Sequence, residues 1–175
     1  GLETRCRSAP SSCNEVVRLA EELSRLRSSG ARDRMNPLWR RHPERWLESQ
    51  VRANPEALDA ALLKEPLYGQ VPAVAGVERG VIDLLAAERG GRLAVLELKA
   101  TEDIHLPLQA LDYWMRVKWH AERDEFSAKG YFPGLPLLPQ APRLILAAPA
   151  MEFHPTTETV LGYFAPGVEV ERAGL

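Results

Sequence analysis

Cysteine is scarce in this sequence. The 175 residues include two, Cys6 and Cys13, both near the N-terminus. Their spacing is not that of a zinc site and no secretory signal is visible, so we expect reduced thiols in a cytoplasmic protein. Long hydrophobic runs are lacking as well, because none approaches the roughly 18 residues of a membrane span. The sequence therefore predicts a protein that does not enter a membrane.

A large excess of charge of one sign is also lacking, since the net charge is −2. The charges are unevenly spread: residues 1–54 contain 11 Arg, no Lys and 7 acidic residues, whereas the rest of the chain is acidic. This balance excludes a dedicated, strongly basic nucleic-acid coat protein. The basic N-terminal part has two interpretations, a contact with a polyanion or an ordinary solvated helix face.

The pattern along the chain predicts an appendage followed by one domain. Residues 1–42 are expected to form a tail and a helical appendage, with a helix over about 14–27. Residues 43–175 are expected to form the main domain. Because the chain begins with Gly1 rather than Met, we expect a longer parent protein with further domains.

Helical and strand patterns alternate in the main domain. The expected elements are helices over about 43–53, 56–63, 105–122 and 156–161, and strands over about 67–77, 80–86, 92–99, 143–148 and 168–171. This order predicts a mixed α/β fold in which one sheet is flanked by helices.

Three ionisable residues interrupt the apolar strands: Asp83, Glu97 and Lys99. Charged side chains are rarely buried without partners, so these are candidate site residues. Glu97 and Lys99 are two apart in one strand, so their side chains leave the same face. A two-residue turn would not set Asp83 opposite Glu97, but an odd turn such as residues 89–91 would. We therefore predict a three- or five-residue loop with a left-handed Gly, or a bulge in one strand.

Two adjoining carboxylates would form a hard-oxygen site for Mg²⁺ or Mn²⁺. Without a cation they would repel each other, and one of them would take up a proton. A lysine beside such a site can stabilise charge on a phosphate or assist an attacking water. The alternative is an exposed edge hairpin with an ordinary Glu–Lys contact, and the spacing alone fits both.

The order of these residues resembles a known enzyme superfamily. Ile82-Asp83, a Gly-rich turn and then Glu97-Leu98-Lys99 resemble the PD-(D/E)XK phosphodiesterases, which have a restriction-endonuclease-like fold; Ile82 replaces the proline that usually precedes the aspartate. The next helix carries Gln109 and Tyr113, which are four apart and hence on one helical face. This pair resembles the Q-x-x-x-Y element of RecB-type nuclease domains.

An upstream helix adds a third element. Glu44-Arg-Trp-Leu-Glu48 and the segment that follows it resemble the helix before the sheet in NucS-type endonucleases, where a helix glutamate approaches the metal. Glu44 is the better match, and Glu48 is the alternative. The whole resemblance covers about residues 43–148.

The resemblance implies a metal-dependent nuclease that acts on DNA. Asp83, Glu97 and the backbone carbonyl of Leu98 would bind Mg²⁺ or Mn²⁺, and Lys99 would help to orient and deprotonate the attacking water. Glu44 would complete the outer shell of the metal.

The helix pair would handle the substrate. Gln109 and Tyr113 would position the nucleic-acid strand, and Tyr113 or Trp114 would stack on a base. The modest charge predicts weak autonomous DNA binding, so a homodimer, with an edge strand over 67–77 as its surface, or further domains would supply the remaining affinity.

Two other function classes remain open at this stage. One is a catalytically idle module of the same fold that binds nucleic acid or a partner protein. The other is an unrelated α/β binding domain in which the E-x-K spacing is accidental, and that version predicts Asp83 and Glu97 on opposite faces of the sheet.

Overall fold

A computed structural model of the chain describes residues 10–26, 40–75 and 78–175. Residues 1–9 and 27–39 of the predicted appendage, and the thiol groups of Cys6 and Cys13, lie outside the described part. No helix within the described ranges is long and apolar enough to cross a membrane.

The described residues form a mixed α/β fold. The helices are α1 (Pro10–Leu26), α2 (Pro43–Ala53), α3 (Leu106–Ala121), α4 (Glu125–Ala128) and α5 (Thr157–Leu161), and the strands are β1 (Tyr68–Ala75), β2 (Glu78–Ala87), β3 (Leu93–Leu98), β4 (Arg143–Ala148) and β5 (Val170–Gly174). Two short 3₁₀ turns, Pro55–Ala57 and Pro149–Met151, complete the order.

One five-stranded sheet lies at the centre, in the order β1-β2-β3-β4-β5. β1, β2 and β3 are antiparallel neighbours, whereas β3, β4 and β5 run parallel. Helix α3 makes the crossover between the parallel strands β3 and β4, as parallel pairing requires. The predicted fold class, one mixed sheet flanked by helices, is confirmed.

Helices cover both faces of the sheet. Strand β3 is buried along its whole length, so its successive side chains enter two different cores. Leu93 and Val95 pack in the cluster that includes α3, whereas Leu96 and Leu98 pack with Leu47 of α2. A charged residue within β3 is therefore enclosed by the fold, which accounts for the burial of Glu97.

Most of the predicted elements are found within a few residues of their expected bounds. The predicted helix over 56–63 is wrong, because only a single 3₁₀ turn forms there and Leu62 pairs as an isolated bridge with Glu88 at the end of β2. The short helix α4 was not predicted, and β5 begins two residues later than expected. Helix α1 begins earlier, at Pro10, a residue suited to a first helical turn.

Candidate functional site

The turn between β2 and β3 sets the register of the candidate site. Glu88 donates its backbone N–H to the carbonyl of Arg92 at 2.8 Å, which leaves a three-residue loop in which Gly91 has φ +88°. The ladder pairs Leu84 with Leu96, and the residues next to this pair, Asp83 and Glu97, are close enough for the charge of Asp83 to act on Glu97. The predicted odd loop with a left-handed Gly is confirmed, and Asp83 and Glu97 do not lie on opposite faces.

Asp83 is tied to the neighbouring strand by two hydrogen bonds. Its Oδ2 accepts the backbone N–H of Leu98 at 3.0 Å, and its own backbone N–H is hydrogen-bonded to the carboxylate of Glu97. Burial raises the pKa of Asp83, and the negative charges of Glu44 and Glu48 raise it further against the opposing hydrogen bond from Leu98. The groups around Asp83 therefore do not fully compensate for the cost of burying its negative charge.

Glu97 is the most enclosed carboxyl group of the site. The residue is 1% exposed, and its Oε2 has no hydrogen-bond partner among the described residues. Burial, followed by the charge of Asp83, raises the pKa of Glu97 to about 9. A buried carboxyl with an unsatisfied oxygen is unfavourable unless something compensates for it, so this position calls for a proton or a cation.

Lys99 follows β3 directly and lies between two carboxylates. Its Nζ is 3.5 Å from Glu44 Oε1 and 3.6 Å from Asp103 Oδ2. Burial works to lower the pKa of Lys99, but the surrounding carboxylates, Glu44 first, outweigh it and raise that pKa. Lys99 is therefore a protonated ammonium group, held at the end of the strand by two contacts.

Asp103 is a site residue that the sequence analysis did not assign. Its Oδ1 accepts the backbone N–H of His105 at 2.8 Å just before α3, while its Oδ2 faces Lys99. The sequence signal that could have indicated Asp103 is its position, four residues after the E-x-K lysine and two residues before the helix predicted from about residue 105. Asp103 thus links the start of α3 to the ammonium group of Lys99.

The structure distinguishes the two glutamates of α2. Glu44 contacts Lys99, whereas Glu48 lies 3.6 Å from Arg52 and accepts a hydrogen bond from the side chain of Gln70 at 3.4 Å. Glu48 and Arg52 are packed over Gly69, where a Cβ would meet both side chains. Glu44 is therefore the glutamate that contacts Lys99, whereas the charges of both glutamates act on Asp83.

Gln109 and Tyr113 lie together on α3. Gln109 Nε2 donates to the hydroxyl of Tyr113 at 3.3 Å, and the Tyr113 ring rests on Gly80 of β2, where a Cβ would be 2.5 Å from Cε1. Gly80 is three residues from Asp83, so the pair lies along the strand that carries the aspartate. Neither aromatic ring is open for the predicted stacking on a base, because Tyr113 is 8% exposed and Trp114, at 5%, donates its indole N–H to the carbonyl of Pro142.

The oxygen atoms of Asp83, Glu97 and the Leu98 carbonyl are the candidate ligands for a divalent cation. No group of three or more His, Cys, Asp or Glu residues with ligand spacing occurs in the described part of the chain. Two carboxylates and one main-chain carbonyl are nevertheless a hard-oxygen set, and Mg²⁺ keeps several waters when it binds to proteins. The raised pKa of each carboxyl and the unpartnered Oε2 of Glu97 fit such an ion.

Comparisons with known proteins give structural neighbours only. No protein-family model and no curated protein matches the sequence. The fold is similar to a repair endonuclease from Pyrococcus abyssi, with 21% identity and a TM-score of 0.49 over 73% of this chain and 45% of that chain. It is also similar to EndoMS in a complex with double-stranded DNA (21%, TM-score 0.48, 73% and 43%) and to EndoMS in the apo form (20%, TM-score 0.46, 75% and 46%).

This chain therefore spans less than half of the length of those structures.

Proposed function

We propose that this chain is a metal-dependent nuclease that hydrolyses phosphodiester bonds in DNA. The observation that supports it most is the pair of carboxyl groups on adjacent strands, Asp83 and Glu97, whose charges act on each other and on Lys99. Burial and mutual repulsion raise the pKa of both carboxyl groups, and a bound cation would offset this repulsion and favour their ionised forms. The choice of DNA rests on the sequence resemblance.

Asp83, Glu97 and the backbone carbonyl of Leu98 would hold Mg²⁺ or Mn²⁺. When bound, the cation supplies Lewis acidity for phosphoryl chemistry and lowers the pKa of water. The hydrogen bond from the Leu98 N–H fixes the orientation of the Asp83 carboxylate before any ligand arrives. Such preorganisation lowers the reorganisation required during the reaction.

Lys99 would supply a positively charged side chain to the proposed active site. Its ammonium group carries three N–H donors, which can bind a phosphate oxygen and orient the attacking water. Because its pKa is raised, Lys99 acts here as a proton-bearing electrostatic group rather than as the first acceptor of the proton of water. Glu44 and Asp103 hold the ammonium group towards the end of β3.

Gln109 and Tyr113 would position the strand that is cut. They lie on the face of α3 that contacts β2, and their mutual hydrogen bond fixes the amide of Gln109. Tyr113 is 8% exposed, so its role is to support Gln109 and the edge of the substrate rather than to present an open ring face.

A nuclease assay with matched variants tests this proposal. Labelled single-stranded, duplex and branched DNA would be incubated with Mg²⁺, Mn²⁺ or EDTA and with the intact chain, Asp83→Ala, Lys99→Ala or Glu102→Ala. Glu102 is an exposed carboxylate three residues after Lys99, so Glu102→Ala is the control. We expect cleavage that needs the metal, disappears in the first two variants and persists in the control.

The opposite result has a defined meaning. If the folded wild-type chain binds these DNAs but cuts none of them with either metal, the chain is a catalytically idle module of this fold. Cleavage that survives Asp83→Ala would remove Asp83 from the metal site.

A further inference from the structure

Gln70 has a backbone conformation that is unusual for a strand. Its φ is +53°, in the left-handed region, where residues other than glycine are strained. Four other non-glycine residues of the described part have a positive φ, and all four lie outside the strands. Strain of this kind persists only where the surrounding structure holds it, and it is common at functional sites. The position of Gln70 relative to the candidate site therefore matters.

Gln70 lies opposite Asp83 across the β1–β2 pair. The ladder pairs Gly69 with Leu84 and Val71 with Ile82. Gln70 and Asp83 stand between these two pairs, and the ladder contains no pair between them. The regular pairing of the two strands is therefore interrupted at the position that carries the candidate metal ligand.

Both strands change the face of their side chains at this interruption. Tyr68 pairs with Leu85, and Val71 pairs with Ile82. All four side chains pack in the core cluster that includes α3. Within each strand these residues are three apart, so regular alternation would place them on opposite faces of the sheet. An additional local twist between the two pairs accounts for their common face.

Helix α2 lies close to β1 at the same point. A Cβ on Gly69 would meet the side chains of Glu48 and Arg52. The amide of Gln70 donates to Glu48 Oε2 at 3.4 Å, which is long for a hydrogen bond, and the Gln70 side chain is exposed. The left-handed backbone of Gln70, rather than its amide, is therefore the feature that shapes the strand.

The twist bears on the orientation of Asp83. Its Oδ2 accepts the Leu98 N–H at 3.0 Å, and its backbone N–H is hydrogen-bonded to the Glu97 carboxylate, so both contacts are made with β3. Because regular alternation cannot place Ile82 and Leu85 on one face, the irregular backbone between them sets the direction of the Asp83 side chain.

We propose that Gln70 is a positioning residue of the candidate site. Its left-handed backbone maintains the twist of β1 and β2 that directs the Asp83 carboxylate to the Leu98 N–H and to the proposed cation. Gln70 acts through Asp83 and not by contact with the cation or the substrate. The link to the cation rests on the proposed nuclease function, whereas the effect on Asp83 can be measured without a metal.

Three substitutions separate the backbone of Gln70 from its side chain. Gln70→Gly removes the amide and leaves the left-handed conformation accessible. Gln70→Asn keeps an amide and tolerates that conformation. Gln70→Val removes the amide and disfavours the conformation, because valine is β-branched. Valine suits an exposed strand position, so we expect all three variants to fold, as circular dichroism would show.

Residue-resolved amide hydrogen exchange in EDTA measures the effect on Asp83. We expect the Leu98 N–H to exchange about 10-fold faster in Gln70→Val than in wild type, because it loses its hydrogen bond to Asp83. Gln70→Gly and Gln70→Asn should keep the wild-type rate. The Lys99 N–H, which donates to the carbonyl of Ala147 at 3.0 Å, is the internal control and should keep its rate in every variant.

Mn²⁺ binding, measured by electron paramagnetic resonance, tests the link to the candidate site. We expect Gln70→Val to weaken Mn²⁺ binding by about 10–100-fold, as loss of an outer-shell partner does, and Gln70→Gly to change it by less than about 3-fold. A residue with a merely structural role would change neither Mn²⁺ binding nor the exchange of one selected amide.

Equal Leu98 exchange in Gln70→Val and Gln70→Gly would overturn the positioning role, even if the chain binds Mn²⁺ and cuts DNA as proposed. Faster exchange of the Lys99 N–H in Gln70→Val would also overturn it, because the effect would not be local to Asp83. Selective loss of protection at Leu98 in a chain that binds no Mn²⁺ would support the role of Gln70 and overturn the proposed function. The two failures are therefore distinguishable.

Discussion

Asp83 Oδ2 accepts a hydrogen bond of 3.0 Å from the backbone N–H of Leu98, so one strand's carboxylate is held by the next strand's peptide group. Leu98 stands between the two charged residues of the E-x-K spacing. The carbonyl of that same residue is the main-chain ligand that we propose. Through this bond the sheet ladder itself orients the carboxylate, and no additional side chain is required.

The variant Asp83→Asn separates the charge of this carboxylate from its hydrogen bond. An asparagine Oδ1 can still accept the Leu98 N–H, but it lacks the negative charge that a cation needs. Loss of an outer-shell partner typically costs 10–100-fold in metal affinity or activity, so we expect loss of this direct ligand to lower kcat by more than about 100-fold. In thermal unfolding, Asp83→Asn should lower the melting temperature less than Asp83→Ala does. Equal melting temperatures for the two variants would contradict a stabilising function of this hydrogen bond.

Glu97 should make the metal-free protein sensitive to pH. Its pKa is about 9 in the folded chain against 4.5 for an ordinary glutamate, so the neutral form is favoured by folding. The favourable contribution is complete below about pH 4.5 and is lost as pH rises to about 9. In EDTA we expect the midpoint of thermal unfolding to fall over this range in wild type and to fall less in Glu97→Gln. Mg²⁺ should stabilise wild type and not the variant.

Asp103 should act as a positioning residue for Lys99. Asp103→Asn keeps an oxygen for the His105 N–H but removes the charge that faces Lys99, whereas Asp103→Ala removes both. We expect Asp103→Asn to keep the melting temperature of wild type and to lower kcat about 10-fold with KM nearly unchanged. Asp103→Ala should lose both activity and stability. If Asp103→Asn retains full activity, Asp103 only stabilises the start of α3 through its hydrogen bond to the His105 N–H.

Arg143 holds an ion network at the other end of the sheet. It is largely buried and contacts Asp59, Glu88 and Glu171, which belong to three separate segments. Arg143→Met would leave these carboxylates together without their cation, and we expect it to destabilise the fold by about 2–3 kcal/mol. Chemical denaturation measures this. Arg89→Met is the control, because Arg89 and its partner Glu56 are exposed and such pairs contribute less than about 1 kcal/mol.

Gly80 should tolerate no side chain. A Cβ there would come within 2.5 Å of the Tyr113 ring, which is itself packed in the core. We expect Gly80→Ala to destabilise the protein by about 1–3 kcal/mol, because the ring must shift, and to weaken DNA binding through Gln109. Gly90→Ala is the matched control, since a Cβ at Gly90 meets nothing within 4 Å. Equal stability of the two variants would show that Tyr113 moves without cost.

Local patterns predicted much of the fold because they reflect short-range physics. Helix α2 was predicted at its observed bounds from its apolar spacing and from Pro43 at its start. The idea that Asp83 and Glu97 share a face predicted an odd turn, since strand side chains alternate with a period of two, and the turn at residues 89–91 has three residues. The segment over 56–63 failed because a helical pattern of apolar residues competed with the pairing of Leu62 at the end of β2.

The sequence by itself determined which residues can do chemistry: two acids, a lysine and a Gln–Tyr pair, in a fixed order along neighbouring elements. Only the tertiary structure decided their environment. It buried Glu97 without a partner for one oxygen, brought Glu44 and Asp103 to Lys99 and packed Trp114 in the core. The reason is physical: burial and ion pairing depend on contacts between residues far apart in the chain, and no local pattern records them.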